Sequence, residues 1–149
     1  MKSFKELIKS IAKLFRLKKI PTLLKNRTLI QFGVPNADGV IYEKDNLGEF
    51  NDVINKSNQM RLLGELDHPN IFEISLGRVS HLIKNIQVNE SDVKADVLVL
   101  TTYQGDILKS LINAGIQFEF APRASGIKRE DGTIDVKEIY TFDAVPKKK

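Results

Sequence analysis

The sequence is organised around residues 64–70, GELDHPN, where a histidine, two carboxylates, a glycine and a proline fall within seven residues. The chain has two histidines, His68 and His81. Because only imidazole has an unperturbed pKa near physiological pH, His68 is the first candidate for proton transfer. Asp, Pro and Asn also favour turns, so a simple turn is the alternative interpretation. We therefore predict a loop here that carries a candidate general base.

Composition excludes several classes of protein. The 149 residues suffice for one domain, and 42% hydrophobic and 28% charged residues are typical of a globular chain. The absence of cysteine excludes disulfides and a thiolate nucleophile. We expect no secretory signal and no transmembrane segment, because no apolar run approaches the ~20 residues of a membrane span. Without a phosphate-binding or dinucleotide-binding glycine motif, we expect no cofactor, and two histidines without cysteine argue against a metal site.

Charge is distributed unevenly along the chain. Residues 2–27 contain nine Lys or Arg and one acid, whereas residues 28–146 contain 11 basic and 18 acidic side chains. Three more lysines end the chain at residues 147–149. This distribution argues against a core that binds a specific nucleic acid and indicates a basic extension with its own partner. We divide the chain into a basic helix and linker, 1–27, and a body with a basic tail, 28–149.

Residues 3–18 have the pattern of a basic amphipathic helix. Their apolar side chains recur at helical spacing: Phe4, Leu7, Ile8, Ile11, Leu14 and Phe15. Ser3 is the predicted N-cap, and Pro21 ends the pattern. The apolar stripe must bury against the body, a second copy, a capsid or scaffold partner, or an anionic membrane. We expect it to dock on protein.

The body has the pattern of a mixed, mainly antiparallel β structure. Helices are predicted over residues 46–58 and 103–114 from their apolar spacing. Strands are predicted at residues 29–34, 40–42, 71–76, 79–88, 93–100, 116–120 and 128–145, the last folded back at Asp131-Gly132. Residues 121–126 are interpreted as a break after a strand. We predict an α+β fold with a barrel-like body and flanking helices.

Four motifs in this order resemble the prohead proteases of tailed phages. The GELDHP run at 64–69 resembles their histidine motif, and RVSHLI at 78–83 resembles the strand that follows. Residues 97–115 resemble the segment before the nucleophile, and FAPRASG at 120–126 falls where that family carries a Ser-Ser-Arg-Gly-x-Gly type sequence. These serine proteases cleave scaffold and capsid proteins inside the immature head. They share a β-barrel flanked by helices with herpesvirus assembly proteases.

The resemblance implies roles for individual residues. His68 matches the general base, which takes a proton from a serine hydroxyl and returns it to the leaving amine. Arg123 and Gly126 match the frame after the nucleophile, where backbone N–H groups stabilise an oxyanion. The group that orients the histidine is open among His81, Asp67 and Glu65. We favour His81 slightly, because adjacent residues such as Asp67 often point away from their neighbour.

The nucleophile position departs from the family. It is Ala121, which has no atom to attack a carbonyl, and the next residue, Pro122, has no N–H to donate to an oxyanion. An engineered Ser→Ala replacement would explain Ala121 but not the proline, so the pair favours a natural, inactive relative. Ser125 is the alternative nucleophile, if the strand register were shifted; Ser before Gly is more often a turn residue.

These observations leave three hypotheses for function. The favoured one is a pseudoprotease, a structural protein of the phage head made in the host cytoplasm. Its partners would be capsid or scaffold proteins, and it could also self-associate. The second is an active maturation endopeptidase with His68 as base. The third is an unrelated small α+β binding domain, because each motif is short.

Overall fold

The fold is known from a computed structural model that describes residues 3–17 and 19–147, and only the backbone of residues 12–17. The helices are α1 (Phe4–Leu17), α2 (Phe50–Asn58) and α3 (Tyr103–Asn113). The strands are β1 (Thr22–Gln31), β2 (Leu63–Glu65), β3 (Val79–Val88), β4 (Asp92–Val99), β5 (Phe118–Lys128) and β6 (Ile134–Pro146). A short 3-10 turn, Lys44–Asn46, precedes α2.

The strands form two antiparallel units. Four of them make one sheet in the order β1-β4-β3-β2, and β5 pairs with β6 in a long ribbon. A single bridge between Leu66 and Ala144 links the end of β2 to β6. The predicted α+β class with antiparallel strands is therefore confirmed. The strands among residues 3–17 and 19–147 do not close into a barrel, so the barrel-like part of the prediction is not observed.

Alternation along β4 builds the centre of the core. Val93, Ala95, Val97 and Val99 are at most 2% exposed, because every second side chain of a strand points to the same face. Burying each valine stabilises the fold by roughly 1.5–3 kcal/mol relative to exposing it. Helix α3 covers β3 and β4 with the fully buried Leu108. The edge strand β2 pairs with β3 of this packed sheet, and the ribbon contacts the sheet through β1 and β2.

Several predicted boundaries are wrong for local reasons. Strand β1 begins at Thr22 rather than 29, because its pairing with β4 extends through the polar, basic residues 25–28. Residues 71–76 form an irregular loop of bends and a turn rather than a strand, and the predicted helix at 46–58 starts at Phe50. The predicted 64–70 loop begins as β2, which pairs with β3 through Gly64 and His81.

The largest error concerns residues 121–126, which lie in the middle of β5 and do not form a break. Ala, Pro, Ser and Gly are turn residues in isolation, but pairing with the 13-residue β6 holds them extended. Pro122 is compatible with a two-stranded ribbon, because each of its strands has one edge without a ladder partner. Register shifts follow Arg123 and Ser125.

Helix α1 is capped as the sequence predicts. The Glu6 N–H donates to Ser3 Oγ and the Ser3 N–H donates to Glu6 Oε2, both at 3.2 Å. This reciprocal pair is a capping box. The described apolar side chains of α1 are nevertheless exposed: Phe4 79%, Ile8 51%, Leu7 48% and Ile11 43%. The stripe predicted at Leu14 and Phe15, and Lys148 and Lys149 of the tail, lie outside the described side chains.

Candidate active site

His68 lies between two carboxylates contributed by distant parts of the chain. Its Nδ1 is 2.6 Å from Asp143 Oδ2 on β6, and its Nε2 is 2.9 Å from Asp38 Oδ2. The loop reaches β6 because the Asp67 N–H donates to the Ala144 carbonyl at 2.7 Å. Asp67 adopts a positive φ of 67° there, a conformation that Asp tolerates better than most residues. This local geometry delivers the imidazole to Asp143.

Asp143 is the centre of a buried ionic network. It is fully buried, and its carboxylate accepts bonds from the Arg123 Nε at 2.8 Å and Nη2 at 2.7 Å. The Glu65 N–H donates to the same carboxylate at 3.0 Å. Arg123 Nη2 also reaches Glu65 Oε2 at 3.0 Å, so one guanidinium compensates two buried acids. The carboxylate that faces His68 is thus held in place by three donors besides the imidazole.

Arg123 and Glu65 extend this network to the neighbouring loop. Arg123 Nη1 donates to the carbonyls of Phe72 and Glu73 at 3.3 and 3.0 Å. The other oxygen of Glu65 accepts from Arg78 Nε at 2.6 Å. Glu65 therefore acts on His68 only through Arg123 and Asp143.

The network opposes the effect of burial on the two titrating groups. Burial alone would raise the pKa of Asp143, but hydrogen bonds from His68 and Arg123 hold this pKa below its usual value. The pKa of His68 is raised, chiefly by its hydrogen bond to Asp143 and further by Asp38. Two carboxylate acceptors favour the imidazolium, which donates from both nitrogens. Both carboxylates therefore favour the protonated form of His68.

His81 is a core residue whose ring is occupied by other partners. It is fully buried, and Nε2 lies 2.8 Å from the Phe142 carbonyl, which can only accept. Nδ1 therefore accepts from Ser80 Oγ at 2.7 Å. Burial lowers the pKa of His81 to about 4, so its ring is neutral. His81 does not contact His68; it fills the space beside Gly64 and Phe142.

Gly64 is required for this packing. A Cβ at position 64 would collide with the His81 imidazole and the Phe142 carbonyl. Gly64→Ala should therefore lower the free energy of unfolding by about 3 kcal/mol, the upper end for overpacking a core. Gly77→Ala is the matched control, because its Cβ would meet only Ser75 Oγ at an ordinary 3.6 Å. Urea unfolding compares the two, and equal stability of both variants would contradict the packing described here.

The two candidate nucleophile positions, 121 and 125, lie at different places along β5. Ala121 pairs directly with Asp143 across the ribbon, is fully buried, and contacts Ala37 and Val145 in one apolar cluster. The structure thus brings position 121 to the carboxylate that holds His68, beside the turn that supplies Asp38. Ser125 lies four residues further along β5, about 13 Å away, and its hydroxyl is 3.3 Å from Tyr140 Oη.

The remaining predicted residues are also placed. Asp67 Oδ1 accepts from the His68 backbone N–H at 2.9 Å and not from the ring. Gly126 pairs with Val136 and lies three residues beyond Arg123, the β5 residue that is bonded to Asp143. Sequence reasoning missed Asp143 and Asp38. Asp143 had a signal, since it is the one acid inside the apolar run 142–145, whereas Asp38 lies in an ordinary turn without one.

The protonation of the two histidines can be measured separately. We expect the NMR titration midpoint of His68 above 6.5, and that of His81 near 4 if the fold survives there. Because the folded pKa of His68 is raised, its stabilisation is full below pH 6.5 and fades as pH rises through the folded value. Asp38→Ala should lower the His68 midpoint, whereas Asp45→Ala, an exposed acid elsewhere, should not. A His68 midpoint at or below 6.5 in the wild type would contradict the bonding of its imidazole to both Asp143 and Asp38.

Within residues 3–17 and 19–147, no three histidine or acidic side chains are grouped so that they could hold a metal ion. None of the helices in the same ranges has the length and apolarity needed to cross a membrane.

Comparison with known proteins supports the fold. No family model matches the sequence, and no curated protein matches it. Among solved structures, the capsid assembly protease of bacteriophage T4, gp21, is similar, with a TM-score of 0.70 and 25% sequence identity. The match covers 85% of this chain and 82% of that chain. The chain therefore resembles a phage prohead protease in its fold, which confirms the resemblance that the sequence motifs indicated.

Proposed function

We propose that this chain is a component of the phage head that has the prohead-protease fold but does not cleave peptide bonds. The observation that carries the proposal is Ala121. It lies opposite Asp143, at the place where the resemblance puts the nucleophile, and offers only a methyl group. Loss of the nucleophile leaves at most the residual catalysis of binding and oxyanion stabilisation, about 10³–10⁴-fold over water.

The bonding of His68 supports the same conclusion independently. A general base must present a free, neutral nitrogen to the nucleophile. The Nε2 of His68 is bonded to Asp38, and the raised pKa favours the form in which both ring nitrogens carry protons. The side chain at position 121 is moreover fully buried in one apolar cluster with Ala37. The site is thus stabilised as a closed ionic cluster.

The partners we propose are capsid or scaffold proteins. The chain would be made in the host cytoplasm and would meet these partners in the prohead. The similarity to a capsid assembly protease supports this assignment. Co-expression with the capsid and scaffold proteins of the phage that encodes the chain tests it. We expect the chain to cosediment with proheads and the capsid protein to keep its full length. Absence of the chain from washed proheads would contradict the proposal.

The retained pair of His68 and Asp143 favours a second candidate, an active maturation endopeptidase. That enzyme would need a natural serine at position 121, or Ser125 as nucleophile. Ser125 lies about 13 Å from position 121 along β5, so the strand would have to shift by four residues to bring Ser125 to that place.

A fluorophosphonate probe distinguishes the two candidates without knowledge of the substrate. We expect no adduct on any serine of the wild-type chain, with chymotrypsin as the positive control for the reagent. Peptide mass spectrometry would locate an adduct if one formed. An adduct on Ser125 that disappears in His68→Ala would establish the active candidate and end the pseudoprotease proposal.

A further inference from the structure

Residues 34–39 form a turn that contacts the candidate site; we call this turn the lid. Ala37 is the one buried residue among them. The lid is held together by its own bonds, because Asn36 Oδ1 accepts from the backbone N–H groups of Asp38 and Val40 at 2.9 and 3.1 Å. These bonds fix the shape of the turn without any contribution from the site. The lid can therefore move as one unit.

The base of the lid is joined firmly to the body. The Gly33 N–H donates to the Tyr42 carbonyl at 3.0 Å, and the Ile41 N–H donates to the Gly132 carbonyl at 2.9 Å. Gly33 has a φ of 75°, a left-handed conformation that glycine adopts without strain. These contacts hold the two ends of the lid and leave its tip to be held by the site alone.

Two polar contacts hold the tip of the lid on the site. Asp38 Oδ2 is 2.9 Å from His68 Nε2, and the Ala37 N–H donates to the Glu119 carboxylate. Within the part of the chain that the structure describes, no other hydrogen bond or ion pair joins residues 34–39 to the body beyond the base.

Closure of the lid buries little apolar surface. Ala37 contributes a single methyl group to the apolar cluster with Ala121 and Val145. The buried Nδ2 of Asn36 has no acceptor among the described residues, which is an unfavourable contribution to the closed arrangement. Segments with few buried apolar contacts open locally at low free energy. The closed lid therefore depends chiefly on its two polar contacts.

The contact between Asp38 and His68 changes sign with the protonation of the imidazole. When His68 is protonated, it donates to Asp143 from Nδ1 and to Asp38 from Nε2. A neutral ring carries one N–H, and the 2.6 Å contact with the fully buried Asp143 retains that proton on Nδ1. Nε2 then presents a lone pair to the Asp38 carboxylate, so attraction becomes repulsion. Loss of one proton thus removes one of the two contacts at the tip.

Other charged or titratable groups surround the lid and His68. Burial and the charge of Asp38 raise the pKa of the Tyr42 hydroxyl. The remaining groups belong to β2 and its loop, to β5 and to the end of β6: Glu65, Asp67, Glu119, Arg123, Asp143 and Lys147. Of all these residue types, only histidine has an ordinary pKa near neutrality. His68 is therefore the group that makes the lid sensitive to pH in this range.

We propose that the lid is a pH-sensitive cover of the candidate site, closed while His68 is protonated and released when His68 is neutral. The pKa of His68 is raised by its carboxylate partners, so closure is favoured below the folded value and is lost as pH rises through it. Release frees His68 Nε2 and withdraws Ala37 from Ala121. The inference concerns access to the site, so it stands or falls separately from the absence of peptide cleavage.

Hydrogen exchange of the Ala37 amide measures opening of the lid in the wild-type chain, because this N–H is bonded to Glu119 only while the lid is closed. Exchange rates measured by NMR are divided by the intrinsic rate at each pH. We expect the protection of Ala37 to fall about fivefold between pH 6 and pH 9, the factor for loss of a partly exposed ion pair. The Ile83 amide, bonded to the Leu62 carbonyl in the core, reports opening of the whole fold and should stay far more protected.

Two replacements of Asp38 separate its charge from its contact. Asp38→Ala removes the contact, so Ala37 should be weakly protected at both pH values. Asp38→Asn keeps an amide that can accept from the protonated ring or donate to the neutral one. Its protection should therefore stay near the wild-type value at pH 6 and lose the pH dependence. Asp45→Ala, which removes an exposed acid elsewhere, should behave as the wild type does.

Three results would overturn the proposal. Protection of Ala37 that does not change with pH would show that His68 does not control the lid. Protection of Ala37 equal to that of Ile83 would show that residues 34–39 open only with the whole fold. A pH dependence that persists in Asp38→Ala would assign the effect to another group.

Discussion

Arg123→Met should lower the free energy of unfolding by about 3–5 kcal/mol, the largest stability effect that we expect from a single substitution. Arg123 is 4% exposed and pairs with both Asp143 and Glu65, which are 0% and 1% exposed; Glu65 has a second cation in Arg78, but Asp143 has no other arginine or lysine partner among the described residues. Methionine keeps much of the side-chain volume but leaves Asp143 with only His68 and one N–H as donors. Asp143 would then be buried without its guanidinium, Glu65 would keep Arg78 but lose Arg123, and the 72–73 carbonyls would lose their donor.

Arg129→Met is the matched control for this prediction. Arg129 lies just after the end of β5 and also binds a carboxylate, that of Asp135. Both of these side chains are nearly half exposed. Surface ion pairs of this kind contribute about 0–1 kcal/mol, so the control should be close to wild type. Urea unfolding at pH 7 compares the three proteins. Equal losses for the two variants would contradict the role we assign to the buried network.

The loss in free energy of unfolding caused by Arg123→Met should also depend on pH. The pKa of Asp143 is lowered in the folded chain, so its stabilisation is present above the unfolded value of 3.8 and is lost as pH falls through the folded value. The difference between wild type and Arg123→Met should therefore shrink toward acid pH. A difference that stays constant between pH 7 and pH 3 would indicate lost packing instead of lost charge compensation.

Restoring a hydroxyl at position 121 should produce the largest change in reactivity. We expect Ala121→Ser with Asp38→Ala to react with a fluorophosphonate about 100-fold faster than the wild type, because removing Asp38 frees Nε2 of His68 to act as base. Ala121→Ser alone should react more slowly than the double variant, since both nitrogens of His68 are still bonded to carboxylates. Replacing Pro122 by alanine in the double variant should add a further gain by supplying a backbone donor.

Two controls separate the effect of the site from that of a new serine. Ala124→Ser places a hydroxyl on the same strand, opposite Ile139 and away from Asp143, and should stay unreactive. Adding His68→Ala to the reactive variant should abolish labelling. If none of the serine variants at position 121 reacts while the fold is intact, position 121 is not the former nucleophile and the residue roles taken from the resemblance would have to be abandoned.

Local patterns in the sequence were sufficient for the elements whose stabilising contacts are also local. The Ser3 N-cap and the apolar spacing predict α1, the alternation of Val93, Ala95, Val97 and Val99 predicts β4, and the spacing over 103–114 predicts α3. The GELDHP motif identified His68, and the order of the motifs indicated the prohead-protease fold. Apart from the order of the motifs, each of these inferences depends on residues within a few turns or strand positions of one another.

The composition of the site was decided by tertiary structure. Asp143 meets His68 across 75 residues and Asp38 meets it across 30, and both contacts exist only because the loop after β2 is pinned to β6. The small residues around Ala121 predict a break when considered alone, and only pairing with β6 makes them a strand. A sequence carries the side chains, but strand register and burial determine which of them meet. For this protein, that pairing places a methyl group where the resemblance predicts a nucleophile and surrounds the histidine with acids.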